Sequence, residues 1–389
     1  MATLPGIWNA ICVWAMPQTD LRIFGAPRQY IQGPGATQRM ASIASGKNCV
    51  PLIIADEEVM ALHGDSLLAS FEHAPAVLSC SGEASLETIE ALAQAARDIR
   101  NEAVPMLVYG VGGGKALDVA KGVAIRLAAQ FVAVPTIASN DSATGRAVAV
   151  YDNNHKLVAI EHLAQSPEAV IVDTAIISQA PVRFLRAGIG DAISKKFEAE
   201  RAHRDGGINF FGTPATLSAL ALADCCYLTL LEHAAIAVSD AERNMVSDSF
   251  EATIEACLLM SGIAWESGGV SLAHAIVRGI ARLPNASGTL HGEHVAYGLL
   301  VQMAAQQADD MAFGEMICFF RSVGLPTCLR DLQITETGHS VFRQIADWAH
   351  EGPTGGNLIV SAPADELADA IARVENLAER SVGERSQLR

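Results

Sequence analysis

The stretch Tyr109-Gly110-Val111-Gly112-Gly113-Gly114-Lys115-Ala116-Leu117-Asp118-Val119-Ala120-Lys121 decides how this chain is read. It follows the apolar run Val104 to Val108, which has strand length. It leads into Ala116 to Ala129, whose apolar residues at 117, 120, 123, 124, 127 and 128 keep helical spacing. A turn between strand and helix exposes the unsatisfied N–H groups at the positive end of the helix dipole, which suits a phosphate. Three consecutive glycines would give that phosphate clearance, and Lys115 would add a cation. Neither common fingerprint fits. Tyr109 and Ala116 stand where a Walker A loop needs Gly and Ser or Thr, and Lys115 replaces the third Gly of G-x-G-x-x-G. A sharp turn with no ligand is the competing reading.

Outward from this turn the pattern alternates. Val50-Pro51-Leu52-Ile53-Ile54-Ala55 reads as a buried strand ending in Asp56-Glu57-Glu58, Ala76 to Ser79 as another, and Ser85 as the cap of a helix with apolar positions 86, 89, 92, 95, 96 and 99. Gln130 to Thr136 is a further buried strand, running into the polar loop Ser139-Asn140-Asp141-Ser142, and Ala147 to Tyr151 and Ala169 to Val172 are two more. Such alternation predicts a parallel sheet covered on both faces, with ligands at the C-terminal ends of its strands. From Pro181 the texture turns helical, with helices expected over 214–238, 249–261, 271–283, 291–308, 311–323 and 363–379. We expect an N-terminal extension over 1–20, an α/β nucleotide-binding domain over 21–180 and a helical domain over 181–389.

Composition narrows the function. The chain has 389 residues, half of them hydrophobic, with 43 acidic against 27 basic residues and a formal charge of -16. That balance, without a Lys/Arg cluster, argues against nucleic-acid or anionic-membrane partners. Apolar runs are broken before about 18 residues, so no membrane span is expected, and Ile7 to Met16 lacks the preceding positive charge of a signal peptide. The eight cysteines form no C-x-x-C pair and read as reduced, buried thiols of a cytoplasmic protein.

Asp191, His274 and His291 have residue types that suit a metal site. Asp191 lies in Gly188-Ile189-Gly190-Asp191-Ala192, read as a helix opening. The two histidines have Pro284 between them and must come from two helices. His294, one turn beyond His291, competes with it as a ligand. One carboxylate and two imidazoles would suit Zn2+ with an open position, or Fe2+.

Several long motifs in one order resemble the glycerol dehydrogenase branch of the iron-containing alcohol dehydrogenase superfamily. They are Gly110 to Asp118, Val134 to Asp141, Ala187 to Ala192, Glu266-Ser-Gly-Gly269, Ala273-His274-Ala-Ile and His291 to Gly298. The resemblance spans about residues 21–379. It implies an N-terminal dinucleotide-binding α/β domain and an all-helical C-terminal domain with the metal in the cleft between them, the fold shared with dehydroquinate synthase. It implies Asp191, His274 and His291 as zinc ligands, favouring His291 over His294, and a substrate-hydroxyl contact at Asp141. It implies NAD contacts at Asp56, Gly112, Gly113, Gly114, Lys115, Asp118, Thr136, Ser139, Gly145, Ala147 and Tyr151, and a homo-oligomer.

The activity so implied is hydride transfer from a small polyol, glycerol to dihydroxyacetone foremost, to NAD+. Alternatives are a same-fold dehydrogenase for another alcohol or hydroxy-carbonyl compound, or a dehydroquinate synthase-type cyclase. The chain departs from the family pattern at Ser142-Ala143, Gly145, Ala147, Trp265 and Val277-Arg278, all near the substrate side.

Overall fold

The computed structural model describes residues 21–99, 104–152, 157–351 and 362–387. The N-terminal half runs β1 (Tyr30–Gly33), α1 (Met40–Ala44), β2 (Val50–Asp56), α2 (Glu57–Leu68), β3 (Ala76–Cys80), α3 (Leu86–Ile99), β4 (Met106–Gly112), α4 (Gly114–Leu127) and β5 (Gln130–Pro135). It closes with β6 (Ala147–Tyr151), β7 (Leu157–His162), β8 (Ala169–Asp173) and α5 (Thr174–Ile177). Six strands form one parallel sheet in the order β1-β8-β5-β4-β2-β3, while β6 and β7 make a separate antiparallel pair.

Period-two alternation explains why both faces of this sheet are covered. Leu52, Ile54, Val108, Phe131, Ala133 and Val170 point to one buried cluster, and Ile53, Ala55, Leu107, Tyr109, Val132 and Ile171 to another. β2 connects onward to β3 on one side and β4 to β5 on the other, so the strand order diverges between β2 and β4. Such a switch point leaves a crevice at the carboxyl ends of the two strands. Here those ends are Asp56 and Gly112.

After α5, no strand follows among the described residues. The chain continues as α6 (Val182–Ile193), α7 (Lys195–Arg204), α8 (Leu217–Ala241), α9 (Asp248–Glu255), a π-helical turn (Ala256–Met260), α10 (Ser261–Gly268), α11 (Leu272–Ile280) and α12 (His291–Ala305). The last helices are α13 (Asp310–Val323), α14 (His339–His350) and α15 (Ala364–Gln387). The expected cap at Ser85 forms, its Oγ accepting from Thr88 N–H at 3.1 Å, and Asp56 caps α2 as well. Sequence reading missed β1, β7, α2, α7 and α14. β1 is four residues long, and α7 is largely charged with no wide apolar stripe.

Two expectations need correction. Among the described cysteines only Cys80, Cys226 and Cys257 are buried, while Cys225 and Cys318 are exposed; all seven are free thiols, and Cys12 lies outside the described residues, as does the expected 1–20 extension. α8 is long and apolar enough to cross a membrane by length and composition alone, although it includes Asp224, Glu232 and Asp240. Its Ala219, Ala223, Cys226 and Leu230 are buried.

α12 and α6 meet almost backbone to backbone. A Cβ on Gly292 would lie 1.8 Å from the Ala187 carbonyl oxygen, so only glycine fits there. We expect Gly292→Ala to lower the unfolding free energy by ~1–3 kcal/mol through overpacking. Gly314→Ala, mid-helix with open space around its Cβ position, should be neutral or stabilising by about 0.5–1 kcal/mol. Equal denaturation midpoints for the two variants would contradict this account.

Candidate active site

The close approach of α6 and α12 sets a carboxylate beside two imidazoles. Asp191 lies two residues from the C-terminal end of α6, not at a helix opening as the sequence suggested, because the helix starts at Val182 after Pro181. His274 is in the first turn of α11 and His291 is the first residue of α12. One ligand-type atom from each of the three lies within 4.8 Å of the others. The imidazole rings are 5.5 Å apart, and His274 Nε2 is 3.5 Å from Asp191 Oδ1. Among the described residues Asp191 Oδ2 is buried with no hydrogen-bond partner. A buried orphan carboxylate oxygen is costly unless a cation or donor meets it. With ligand lengths of about 2 Å, the donor set fits one divalent ion.

His294 does not join the cluster. It is buried, and its Nε2 meets Thr289 Oγ1 at 2.6 Å. One turn of helix thus separates the His291 ring, grouped with Asp191 and His274, from the His294 ring, which meets the preceding loop at Thr289.

Groups that the sequence reading overlooked surround the triad. Glu198, fully buried on α7, takes His274 Nδ1 at 2.6 Å with Oε2 and accepts from the backbone N–H groups of Ser271 and His274 at 3.0 Å with Oε1. This leaves Nε2 of His274 to face the cluster, the carboxylate–histidine arrangement that orients a metal ligand. Lys195 is fully buried and donates to Asp191 Oδ1 at 2.5 Å and to the Asp191 carbonyl at 3.1 Å. Its Nζ also lies 3.2 Å from Asp141 Oδ2, which accepts from Ser261 Oγ at 2.9 Å. A signal was present: positions 191, 195 and 198 share one helical face, and all three are charged.

The electrostatics follow from this crowding. Burial favours the neutral form of Asp191, but Lys195 and His274 outweigh it and hold its carboxyl well below the usual range. Burial likewise opposes ionisation of Glu198, yet its His274 partner brings it down to about 2. Burial opposes protonation of His274 as well, but the Glu198 carboxylate raises it to about 9, so an ion taking Nε2 displaces a proton. His291 and His294 are both pushed down to about 4, chiefly by burial. Asp141 is raised, first by burial and then by Asp191.

Asp141 sits in the loop after β5, held by groups from the helical half. Lys121, fully buried on α4, anchors this loop by donating to the carbonyls of Ser142 and Ala147. The π-helical turn lies opposite: Leu258, within it, accepts from Thr144 Oγ1, and Ser261 begins the helix immediately after it. Trp265 stacks on Phe210 with centroids 3.7 Å apart, its ring 3.6 Å from where a Gly145 Cβ would stand. A Cβ at position 145 would stand in ordinary van der Waals contact with this ring, so the ring's size does not by itself demand glycine there. Arg146 lies across Phe211 and pairs with Glu266 at 3.1 Å.

The nucleotide side gathers at the sheet switch point. Asp56 caps α2 through Oδ1, which accepts from Glu58 and Val59 N–H. Gly112, at φ 142°, packs on Ala116 and Asp56, while Gly113 and Gly114 pack against Ile137 and Asn140. The expected clearance for phosphate is thus partly occupied by the protein's own loops, and the glycines serve close packing of the turn. Lys115 pairs with Glu83 at the surface. Thr136 Oγ1 and Asp118 Oδ1 are buried without hydrogen-bond partners among the described residues, and burial raises Asp118 to about 6. Ser139 is half-buried in the loop before Asp141, Ala147 opens β6, and Tyr151, pushed up to about 12 by burial, donates its backbone N–H to the Ala84 carbonyl.

Known proteins place this arrangement. The sequence profile of the iron-containing alcohol dehydrogenase family matches residues 32–181. A protein named glycerol dehydrogenase from Pseudomonas putida is 34% identical over 360 residues, spanning 92% of this chain and 98% of its own. One named glycolaldehyde reductase from Halobacterium salinarum is 36% identical over 318 residues, 80% of this chain and 86% of its own. The crystal structure of glycerol dehydrogenase from Schizosaccharomyces pombe superimposes with a TM-score of 0.88 at 28% identity, covering 95% of this chain and 94% of that one. With relatives this similar over nearly their whole length, the chain belongs to the iron-containing alcohol dehydrogenase family of oxidoreductases.

Proposed function

We propose that this chain oxidises a small vicinal polyol, glycerol foremost, with NAD+ as hydride acceptor and a divalent ion, Zn2+ or Fe2+, held by Asp191, His274 and His291. The observation that carries the reading is Asp141. Its Oδ2 is met by Ser261 and Lys195, while no hydrogen bond engages Oδ1 among the described residues, beside a two-histidine, one-carboxylate cluster. When bound, the ion supplies Lewis-acid polarisation of a hydroxyl, and NAD+ supplies the hydride acceptor.

The chain's own residues do the positioning. Glu198 fixes the His274 tautomer. Asp141 Oδ1 accepts a hydrogen bond from the second hydroxyl of a diol and so fixes which carbon faces the nicotinamide. Trp265 and Phe210 give the cleft an aromatic wall that excludes water. NAD+ lies along the crevice between β2 and β4, with Thr136 and Asp118 meeting it through oxygens that lack protein partners. In this reading residues 21–180 carry the nucleotide and 181–389 the metal.

The glycolaldehyde reductase relative supports the same chemistry, since reducing a hydroxy-aldehyde yields a vicinal diol. A dehydroquinate synthase-type reading would need basic groups free to meet a phosphorylated acid. The lysine in the cleft, Lys195, is spent on two carboxylates. The proposal extends to a cytoplasmic homo-oligomer without nucleic-acid or membrane partners, in keeping with a charge of -16.

Four measurements test this. Purified protein should hold about one divalent ion per chain. Glu198→Gln should weaken Zn2+ binding about 10–100-fold in chelator competition, whereas His294→Ala should leave it within about twofold; the reverse order would refute the ligand set. In an NADH-formation panel, glycerol and 1,2-propanediol should exceed 1-propanol in kcat/KM, and Asp141→Asn should erase that margin because the site loses its partner for the second hydroxyl. Simple alcohols matching the diols in the wild type would end the polyol reading. NADP should be used at least about tenfold less well than NAD, since the Asp56 carboxylate at the crevice repels a 2'-phosphate.

A further inference from the structure

Lys195 is an unusual group to find beside a cation site. Its side chain is fully enclosed, and an ammonium buried there is tolerable only if its donors and its charge are met. Nζ donates to Asp191 Oδ1 at 2.5 Å and to the Asp191 carbonyl at 3.1 Å, and its charge is further met by Asp141 Oδ2 in an ion pair at 3.2 Å. The consequence is a division of labour within two carboxylates. One oxygen of each faces the lysine, leaving Asp191 Oδ2, which is buried and unpartnered, and Asp141 Oδ1. Both carboxylates therefore present a single defined oxygen.

The charge has a second effect. A fixed cation 2.5 Å from a ligand carboxylate opposes a divalent ion on the same carboxylate, and at such separations the repulsion is large even at the effective dielectric of a protein surface. A neutral side chain of the same length would fill the space without that repulsion. Three carboxylates, Asp141, Asp191 and Glu198, converge here, and Lys195 is the charge that offsets them before any ion binds.

We propose that Lys195 is a positioning residue that fixes Asp141 for recognition of the substrate's second hydroxyl and, through its charge, loosens the hold of the Asp191 carboxylate on the divalent ion. The substrate half rests on the polyol reading; the metal half does not. The two duties predict opposite signs for one substitution. Lys195→Met should bind Zn2+ at least about tenfold more tightly in chelator competition on the apoprotein, while the ratio of kcat/KM for 1,2-propanediol over 1-propanol falls at least about tenfold. The Lys195→Met/Asp141→Asn double variant should discriminate no worse than Asp141→Asn alone, because both remove one contact.

A purely structural lysine would give weaker metal binding together with lower activity. Zn2+ affinity that is unchanged or weaker in Lys195→Met overturns the proposal. A diol ratio that survives, or falls additively in the double variant, overturns its Asp141 half. If Lys195→Met does not fold, Lys195→Gln, which keeps a donor without the charge, is measured in the same way with the same expected signs. Should the wild type show no diol preference at all, the polyol reading fails while the metal competition still decides the role of the charge.

Discussion

A carboxylate on one helix and an imidazole on another can converge on one ion only if the two backbones approach closely, and the contact of α6 with α12 supplies that approach. Gly292 presses on the carbonyl of Ala187, one turn before Asp191, and stands next to His291. A single methyl group at this point would clash with that carbonyl and force the two helices apart. The third side chain of the cluster arrives by a different route. His274 is in the first turn of α11, and Glu198 on α7 accepts from its backbone N–H as well as from its ring, so its helix start and its side chain are fixed by the same carboxylate.

Much of this was legible in the sequence, and the reason is periodicity. The sheet strands that ran apolar between turn residues, such as Leu52 to Ala55 and Phe131 to Val134, were found because both faces are buried and the signal is continuous. The three residues Asp191, His274 and His291, singled out in the sequence as metal-suited types, are brought together in space. Two kinds of feature were not legible. Short or charged elements, β1 and α7 among them, carry no strong period. Long-range partnerships are invisible as well: nothing local says that Lys195 meets Asp141, or that Glu198 meets His274, because those contacts span different helices and loops. The glycine turn misled in a subtler way. Its glycines suggested open space, while the structure uses them to let neighbouring side chains close in.

The cleft is built largely from acids, and its order comes from how each acid's two oxygens are spent. Glu198 gives one to a ring and one to two backbone donors, Asp56 gives one to a helix start, and Asp191 and Asp141 each give one to the same ammonium. A carboxylate with one oxygen occupied is directional, whereas one with both free can rotate to meet any donor. Fixed orientation of this kind is what a site needs to hold a partner in one geometry.

The π-helical turn at Ala256–Met260 carries a consequence for how this chain can change over time. Such a turn holds one residue more than the helix around it, so it sets the angular phase of everything that follows on α10. Deleting one residue there would rotate Ser261 and Trp265 by about 100°, carrying the hydroxyl away from Asp141 and the indole off Phe210. The face of α10 that meets Asp141 and Phe210 is therefore indexed by a single irregular turn. Point substitutions can adjust its chemistry in place, but insertions and deletions, tolerated in surface loops, would here turn the whole face at once.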